Sequence, residues 1–219
     1  MLFRSDTAGQ ANRDRVVGYG GWSFEYATRA RLAETDRQQL LRVARQAISL
    51  GLKHGKPARV NTDTFSRPLQ ALRATFVTLT LDGRLRGCIG SVTPHEPLAA
   101  DVAANAYKAA FQDPRFPRLT QGEIDRLEFS VSVLSHPRPM PSHSEAAAID
   151  ALHPEVDGVI LEARDASGQA RRGLFLPHVW QDLPDPRQFM RHLKAKAGLS
   201  PEGWTEGTRL WRYRTETFH

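Results

Sequence analysis

The stretch RATFVTLTLDGRLRGCIGSV, Arg73 to Val92, decides the fold. Two runs rich in apolar and β-branched residues flank Asp82-Gly83, a dipeptide that marks a hairpin turn. In a strand, residues two apart share a face. On the first strand Val77, Leu79 and Leu81 therefore lie opposite to Phe76, Thr78 and Thr80. On the second, Leu85, Gly87 and Ile89 lie opposite to Arg84, Arg86, Cys88 and Gly90. A two-residue loop pairs Leu81 with Arg84 and Leu79 with Arg86, which mixes apolar and charged side chains. A three-residue loop shifts the register by one. It gathers Val77, Leu79, Leu85 and Ile89 on one face and Thr78, Thr80, Arg86 and Cys88 on the other. Register follows the hydrophobic pattern, so the three-residue loop is expected, with Gly83 supplying the positive φ of a bulge.

That register bears on Cys88, the one cysteine of the chain. It puts the thiol on the polar face, about 7 Å along the strand from Arg86 at ~3.3 Å per residue. A guanidinium within reach favours thiolate over thiol. Gly87 and Gly90 carry no side chain, so a ligand or another backbone can come close there. The same residues also fit a second reading. A cysteine in a strand commonly serves as a small buried hydrophobe, and strand glycines commonly admit a packed helix.

Outward from the hairpin, the elements alternate in type. Thr35 and Gln38 read as a capping box that opens a helix over about 36–54. PLAADVAANAYKAAFQDPRF reads as a helix after the hairpin, ended by Asp113-Pro114. Its polar residues Asp101, Asn105, Lys108 and Gln112 form one narrow stripe and alanines fill the rest, the pattern of a mostly buried helix. Asp113 and Arg115 flank a rigid proline, which suits a local salt bridge or a reach toward the Cys88 face. LEFSVSVLS (127–135) alternates as a strand with a second polar face, Glu128, Ser130 and Ser132. SEAAAIDAL reads as a short helix, and GVILEARDASGQARRGLFL as a second hairpin turning at Asp165–Gly168. Pro186 to Ala197 reads as a helix stopped by Gly198, and TRLWRYRTETF as a closing strand. Strands joined mostly by hairpins predict an α+β fold with a largely antiparallel sheet flanked by helices.

The totals narrow the class. The chain has 219 residues, 40% hydrophobic and 25% charged, as soluble globular proteins do. No apolar run approaches the ~20 residues of a transmembrane helix, and MLFRSDTAGQANRDR lacks a signal core. One cysteine excludes an intramolecular disulfide framework, so a cytoplasmic location and no membrane partner are expected. Net charge is +6, and only five of the 30 basic residues are lysine. Arginine suits phosphate and carboxylate, so nucleic acid enters as a weak candidate partner; the arginines are scattered, however, and form no basic tract. There is no GxGxxG or Walker-type loop, and no cofactor is expected. None of the eight histidines forms an i, i+2 or i, i+4 pair, there is no HExxH, and no metal site is expected.

In this order FVTLTLDGRLRGCIGSV, DPRFPRLT, LEFSVSVLS, DGVILE, FLPHVW and KAGL resemble the AMMECR domain family, over about residues 35–219. The resemblance implies an α+β fold of two unequal lobes and no settled activity. It implies that the hexapeptide Leu85-Arg86-Gly87-Cys88-Ile89-Gly90 marks a functional site. Upstream, DTAG…RDRVVGYGGWSF is similar to the C-terminal end of Memo-family proteins. Residues 1–33 are thus expected to be a tail of that kind, and 34–219 the AMMECR-type domain. The implied partners are a Memo-family protein and a radical-SAM protein. The expected site has Cys88 as nucleophile or thiol donor and Arg86 as anion clamp, with Gly87, Gly90, Thr78, Asp113 and Arg115 about the substrate. The alternative is a non-catalytic binding module or scaffold for nucleic acid or an acidic protein.

Overall fold

The Asp82-Gly83 turn organises the first of two four-stranded antiparallel sheets. The structure, a computed structural model, describes residues 31–219. The strand-like stretch at 16–26, and the Memo-like reading of the tail, lie outside the described residues. Strands β1 (Thr75–Leu81), β2 (Arg84–Gly90), β3 (Leu127–Leu134) and β8 (Thr215–Phe218) form the first sheet in the order β2-β1-β3-β8. Strands β4 (Arg138–Pro139), β5 (Gly158–Arg164), β6 (Ala170–Phe175) and β7 (Arg209–Tyr213) form the second, in the order β4-β7-β5-β6. The fold is α+β, as the alternation of patterns predicts.

The turn corrects the expected loop. Asp82 and Gly83 both have positive φ, 51° and 74°, and Leu81 pairs directly with Arg84. The loop therefore has two residues, and Asp82-Gly83 is the primed turn that matches strand twist. The register shift comes instead inside the strand. Thr80 pairs with Leu85, Leu79 with Gly87, and Arg86 is the extra residue between them. The bulge does what the longer loop was expected to do: beyond it Val77 meets Ile89 and Thr78 meets Cys88. Leu85 is left exposed and does not join Leu79 and Val77.

Two helices cover one face of this sheet. Helix α1 (Glu34–His54) and helix α3 (Leu98–Phe111) pack on each other and on β1, β2 and β3. Val77, Leu79, Phe129, Val131 and Val133 fill the interface with Leu40, Ala44, Ile48, Val102 and Ala106. Helix α1 starts at Glu34, so Thr35 is inside it and is not its N-cap; Gln38 Nε2 donates to Glu34 Oε1 at 2.9 Å across the first turn. The short helix α2 (Arg67–Gln70) follows the connecting loop. The polar stripe on α3 does not face water as a stripe: Asp101 and Asn105 are buried against β1.

The second sheet packs helix α5 (Pro186–Lys196) and the short helix α4 (Glu145–Asp150). Leu161, Val159, Phe175 and Leu210 from strands meet Trp180, Phe189, Met190 and Leu193. Trp180 and Phe189 stack at 3.8 Å between ring centroids. The closing segment is two strands, not one. Arg214 breaks it, so β7 belongs to the second sheet and β8 to the first. Ala74, Leu134, Ile160 and Tyr213 make a small cluster where the two sheets meet, with Phe76 and Trp211 against it.

Candidate functional site

The polar faces of β2, β1 and β3 are contiguous. Thr78 is flanked by Cys88 on one side and Ser130 on the other. Ser132 and Thr217 continue the row, their hydroxyls 2.8 Å apart, and Thr80 Oγ1 donates to Glu128 Oε2 at 3.1 Å. Near Phe76 this face is covered by the second sheet. Beyond it, Thr78, Thr80, Cys88, Ser130 and Ser132 are half-buried. Cys88 therefore lies on the side of the sheet away from the helical core. Its Sγ accepts a hydrogen bond from Thr78 Oγ1 at 3.2 Å.

Strand β2 is a sheet edge, and edge strands present unpaired backbone groups. At Cys88 both are satisfied by side chains. Its N–H donates to Asp113 Oδ2 at 2.9 Å, and Arg115 Nη2 donates to its carbonyl oxygen at 3.2 Å. Asp113 and Arg115 are themselves bonded, at 2.7 and 3.0 Å, so the two form one bracket. The bracket comes from the turn that ends α3, where Asp113 Oδ1 also accepts the Arg115 N–H at 3.1 Å. The Arg115 guanidinium beside it, with the Cys88 N–H, holds the Asp113 carboxyl well below the usual carboxylate range. The pair is thus a local salt bridge, and what it reaches is the Cys88 backbone. It grips the backbone of Cys88 and leaves the thiol on the polar face.

Arg86 is placed differently from expectation. Its guanidinium is committed to Glu123, Nε to Oε1 at 2.6 Å and Nη2 to Oε2 at 3.3 Å. Glu123 lies in the 3-10 turn Gln121–Arg126, where it also accepts from the Thr120 N–H and hydroxyl, both at 2.8 Å. The Arg86 pairing, first, and the Thr120 bonds hold the Glu123 carboxyl down at about 2. The remaining nitrogen, Nη1, is buried and has no partner among the described residues. The bulge residue thus ties the hairpin to the start of β3, and the bond received by Sγ comes from Thr78.

The two glycines are close-packed, with no open space beside them. A Cβ at Gly87 would sit within van der Waals overlap of the Ala109 carbonyl of α3. One at Gly90 would strike the Phe76 ring and the Thr75 carbonyl oxygen. Of the two readings the sequence left open at these glycines, the close approach seen is that of helix, ring and strand.

A group the sequence reading passed over lies at the other end of the hairpin. Asp101, 1% exposed, accepts from Thr75 Oγ1 at 2.6 Å, from Asn105 Nδ2 at 3.0 Å and from Ser91 Oγ at 2.7 Å. Burial raises its pKa, against those hydrogen bonds. An aspartate and an asparagine at i, i+4 in a helix of alanines was the available signal, since polar residues on such a helix are either its solvent stripe or its polar pins. Among the described residues no helix is long and apolar enough to cross a membrane.

Comparison with known proteins places this geometry in a family. Residues 41–218 match the AMMECR1 family model. A protein of Methanothermobacter thermautotrophicus is 35% identical over 192 residues, which cover 87% of this chain and 97% of that one. A protein of Thermotoga maritima is 35% identical over 169 residues, 76% of this chain and 89% of that one. The crystal structure of an uncharacterized protein from Pyrococcus horikoshii superposes with a TM-score of 0.71 at 34% identity, covering 81% of this chain and 88% of that one.

Proposed function

The chain belongs to the AMMECR1 family, and on that premise we propose that it is a substrate-binding subunit whose site is the thiol face around Cys88. The supporting observation is the division of labour on β2. Gly87 and the apolar face serve the helical core, while Cys88 is gripped through its backbone by Asp113 and Arg115 and turns its sulfur to a half-buried row of hydroxyls. A backbone fixed on both sides sets the sulfur to within a rotamer, which a binding or nucleophilic thiol requires. Among the described residues the hydrogen bond at Sγ comes from the Thr78 hydroxyl and none comes from a histidine or carboxyl group, and Asp113 is occupied by Arg115. Cysteine nucleophiles are ordinarily activated by an adjacent base, so the arrangement favours ligand binding through the thiol, with the reaction completed by Memo-type and radical-SAM partners.

The test is alkylation of the native chain with iodoacetamide, read by mass, beside the stability of Cys88→Ala. Labelling of the folded protein, with a fold kept in the variant, supports the site. Labelling only after unfolding, with loss of stability in the variant, makes the thiol structural and transfers the function to a binding surface elsewhere.

A further inference from the structure

We propose that His95, Glu96 and Asp101 form a site for one divalent transition-metal ion, of the zinc class, where the loop after β2 enters helix α3. One ligand atom from each residue lies within 4.8 Å of the others. His95 is 3.1 Å from Glu96 Oε1 through Nε2 and 3.9 Å from Asp101 Oδ1 through Nδ1. Two donors bound to one ion at 2.0–2.2 Å and a tetrahedral angle lie roughly 3.4 Å apart. The two distances run through different ring nitrogens, so binding one ion turns the His95 ring; its side chain is exposed and that of Glu96 half-exposed, which leaves room for the movement.

The buried member gives the independent reason. Asp101 is a carboxylate at 1% exposure whose hydrogen-bond donors, Thr75, Ser91 and Asn105, are all neutral. Among the described residues no lysine or arginine pairs with it, and the His95 ring lies 3.9 Å from Oδ1 through Nδ1. A buried carboxylate with no guanidinium or ammonium group beside it is costly to ionise, and a metal ion supplies two positive charges. Oδ2 is taken by Thr75 and Asn105, while Oδ1 receives only Ser91 and keeps a lone pair on the His95 side. Ser91 and Thr75 fix the Asp101 carboxylate. The Thr93 carbonyl, 3.0 Å from His95 Nδ1, accepts the ring N–H there, so Nε2, the nitrogen beside Glu96, is the ligand atom and the exposed ring must turn to bring it to Asp101 Oδ1. One imidazole and two carboxylates suit zinc, iron, nickel or manganese, and three protein ligands leave a position for water.

The experiment uses the whole chain, stripped with EDTA, titrated with Zn²⁺ against a chromophoric chelator. The expected result is one tight equivalent per chain, with His95→Ala and Glu96→Gln each weakening it by about 10–100-fold. Cys88→Ser and His153→Ala are expected to bind as the unaltered chain does, which separates the site from adventitious thiol or histidine binding. Zn²⁺ raises the melting temperature of the unaltered chain and leaves that of His95→Ala unmoved; since His95 is exposed, that variant folds. No saturable equivalent, or undiminished binding in His95→Ala, overturns the proposal.

Discussion

Replacing Gly87 by alanine tests whether the hexapeptide Leu85-Arg86-Gly87-Cys88-Ile89-Gly90 is built around a helix or around a ligand. The added Cβ would come 2.2 Å from the Ala109 carbonyl oxygen, where ordinary contact begins at 3.4 Å. Helix α3 would have to retreat by about 1.2 Å to accommodate one methyl. It is not free to do so. Asp101 and Asn105 pin its first half to Thr75, the Ala110 carbonyl accepts the Leu119 N–H at 2.8 Å, and Asp113 at its end holds the Cys88 N–H at 2.9 Å. Overpacking a well-filled site costs about 1–3 kcal/mol, and this contact, against backbone, falls at the upper end. The alanine returns about 0.4–1 kcal/mol by restricting the unfolded chain. The net loss is roughly 2 kcal/mol, which at this size lowers the melting temperature by about 4–8 °C. Thermal denaturation followed by circular dichroism reads it directly, with Gly87→Val lower still and Val77→Ile as the control for a small enlargement of the same core face. Should Gly87→Ala melt within 2 °C of the parent, the helix does not require that glycine and the packing argument is wrong.

Arg86→Ala, which leaves the Glu123 carboxylate without its partner at 18% side-chain exposure, is expected to cost about 2–3 kcal/mol, below the 3–5 of a fully buried pair; urea denaturation measures it, and a loss under 0.5 kcal/mol would show the pair to be ornamental. The same pair sets an acid limb. The Glu123 carboxyl is held at about 2 in the folded chain against an ordinary 4.5, so its contribution is complete above pH 4.5 and is lost as pH falls toward 2; Glu123→Gln is expected to flatten stability over that window, and an unchanged pH profile would contradict the assignment. Thr75→Val removes the shortest bond to buried Asp101 and is expected to cost about 1.5–3 kcal/mol, checked by the same denaturation; a neutral variant would mean that Asp101 is already satisfied without it. Cys88→Ala is expected to keep the melting temperature within about 3 °C, since a half-buried thiol on a polar face contributes little burial, and a larger fall would assign the thiol to the core.

The hairpin shows what was legible in the sequence and what was not. Alternation alone places Thr78 beside Cys88 and Val77 beside Ile89, because burying one face leaves a strand no other register. The means of reaching that register was hidden. A two-residue primed turn followed by a bulge and a three-residue loop give the same pairing downstream, and apolar spacing cannot separate them. The bulge residue is Arg86, whose partner Glu123 is 37 positions away in a 3-10 turn with no periodicity to betray it. The break at Arg214 was hidden for a related reason: β7 and β8 form one continuous strand-like run, and only their partners, β5 on one side and β3 on the other, divide it between sheets. Asp113 and Arg115 were visible as a rigid pair, but their target is a backbone, which leaves no trace in side-chain pattern.

That backbone target makes sense of why the hexapeptide joins glycine, cysteine and an edge strand. An edge strand is open to pairing with another chain. Here Cys88 is closed by a carboxylate on the N–H and a guanidinium on the carbonyl, the two groups a further strand would use. A side-chain bracket does this without covering the face of the sheet, as a ninth strand with side chains of its own would tend to do. Gly87, one residue earlier, lets α3 lie close enough for its terminal turn to reach Cys88 at all. The packing role of the glycine and the placement of the thiol are therefore one device: the helix must approach for the bracket to close. It follows that Gly87→Ala and Asp113→Asn should both change the alkylation rate of Cys88, the first by displacing the bracket and the second by weakening its grip. Neither residue touches the sulfur, so a rate unmoved in both variants would show that the thiol is positioned by β1 and Thr78 alone.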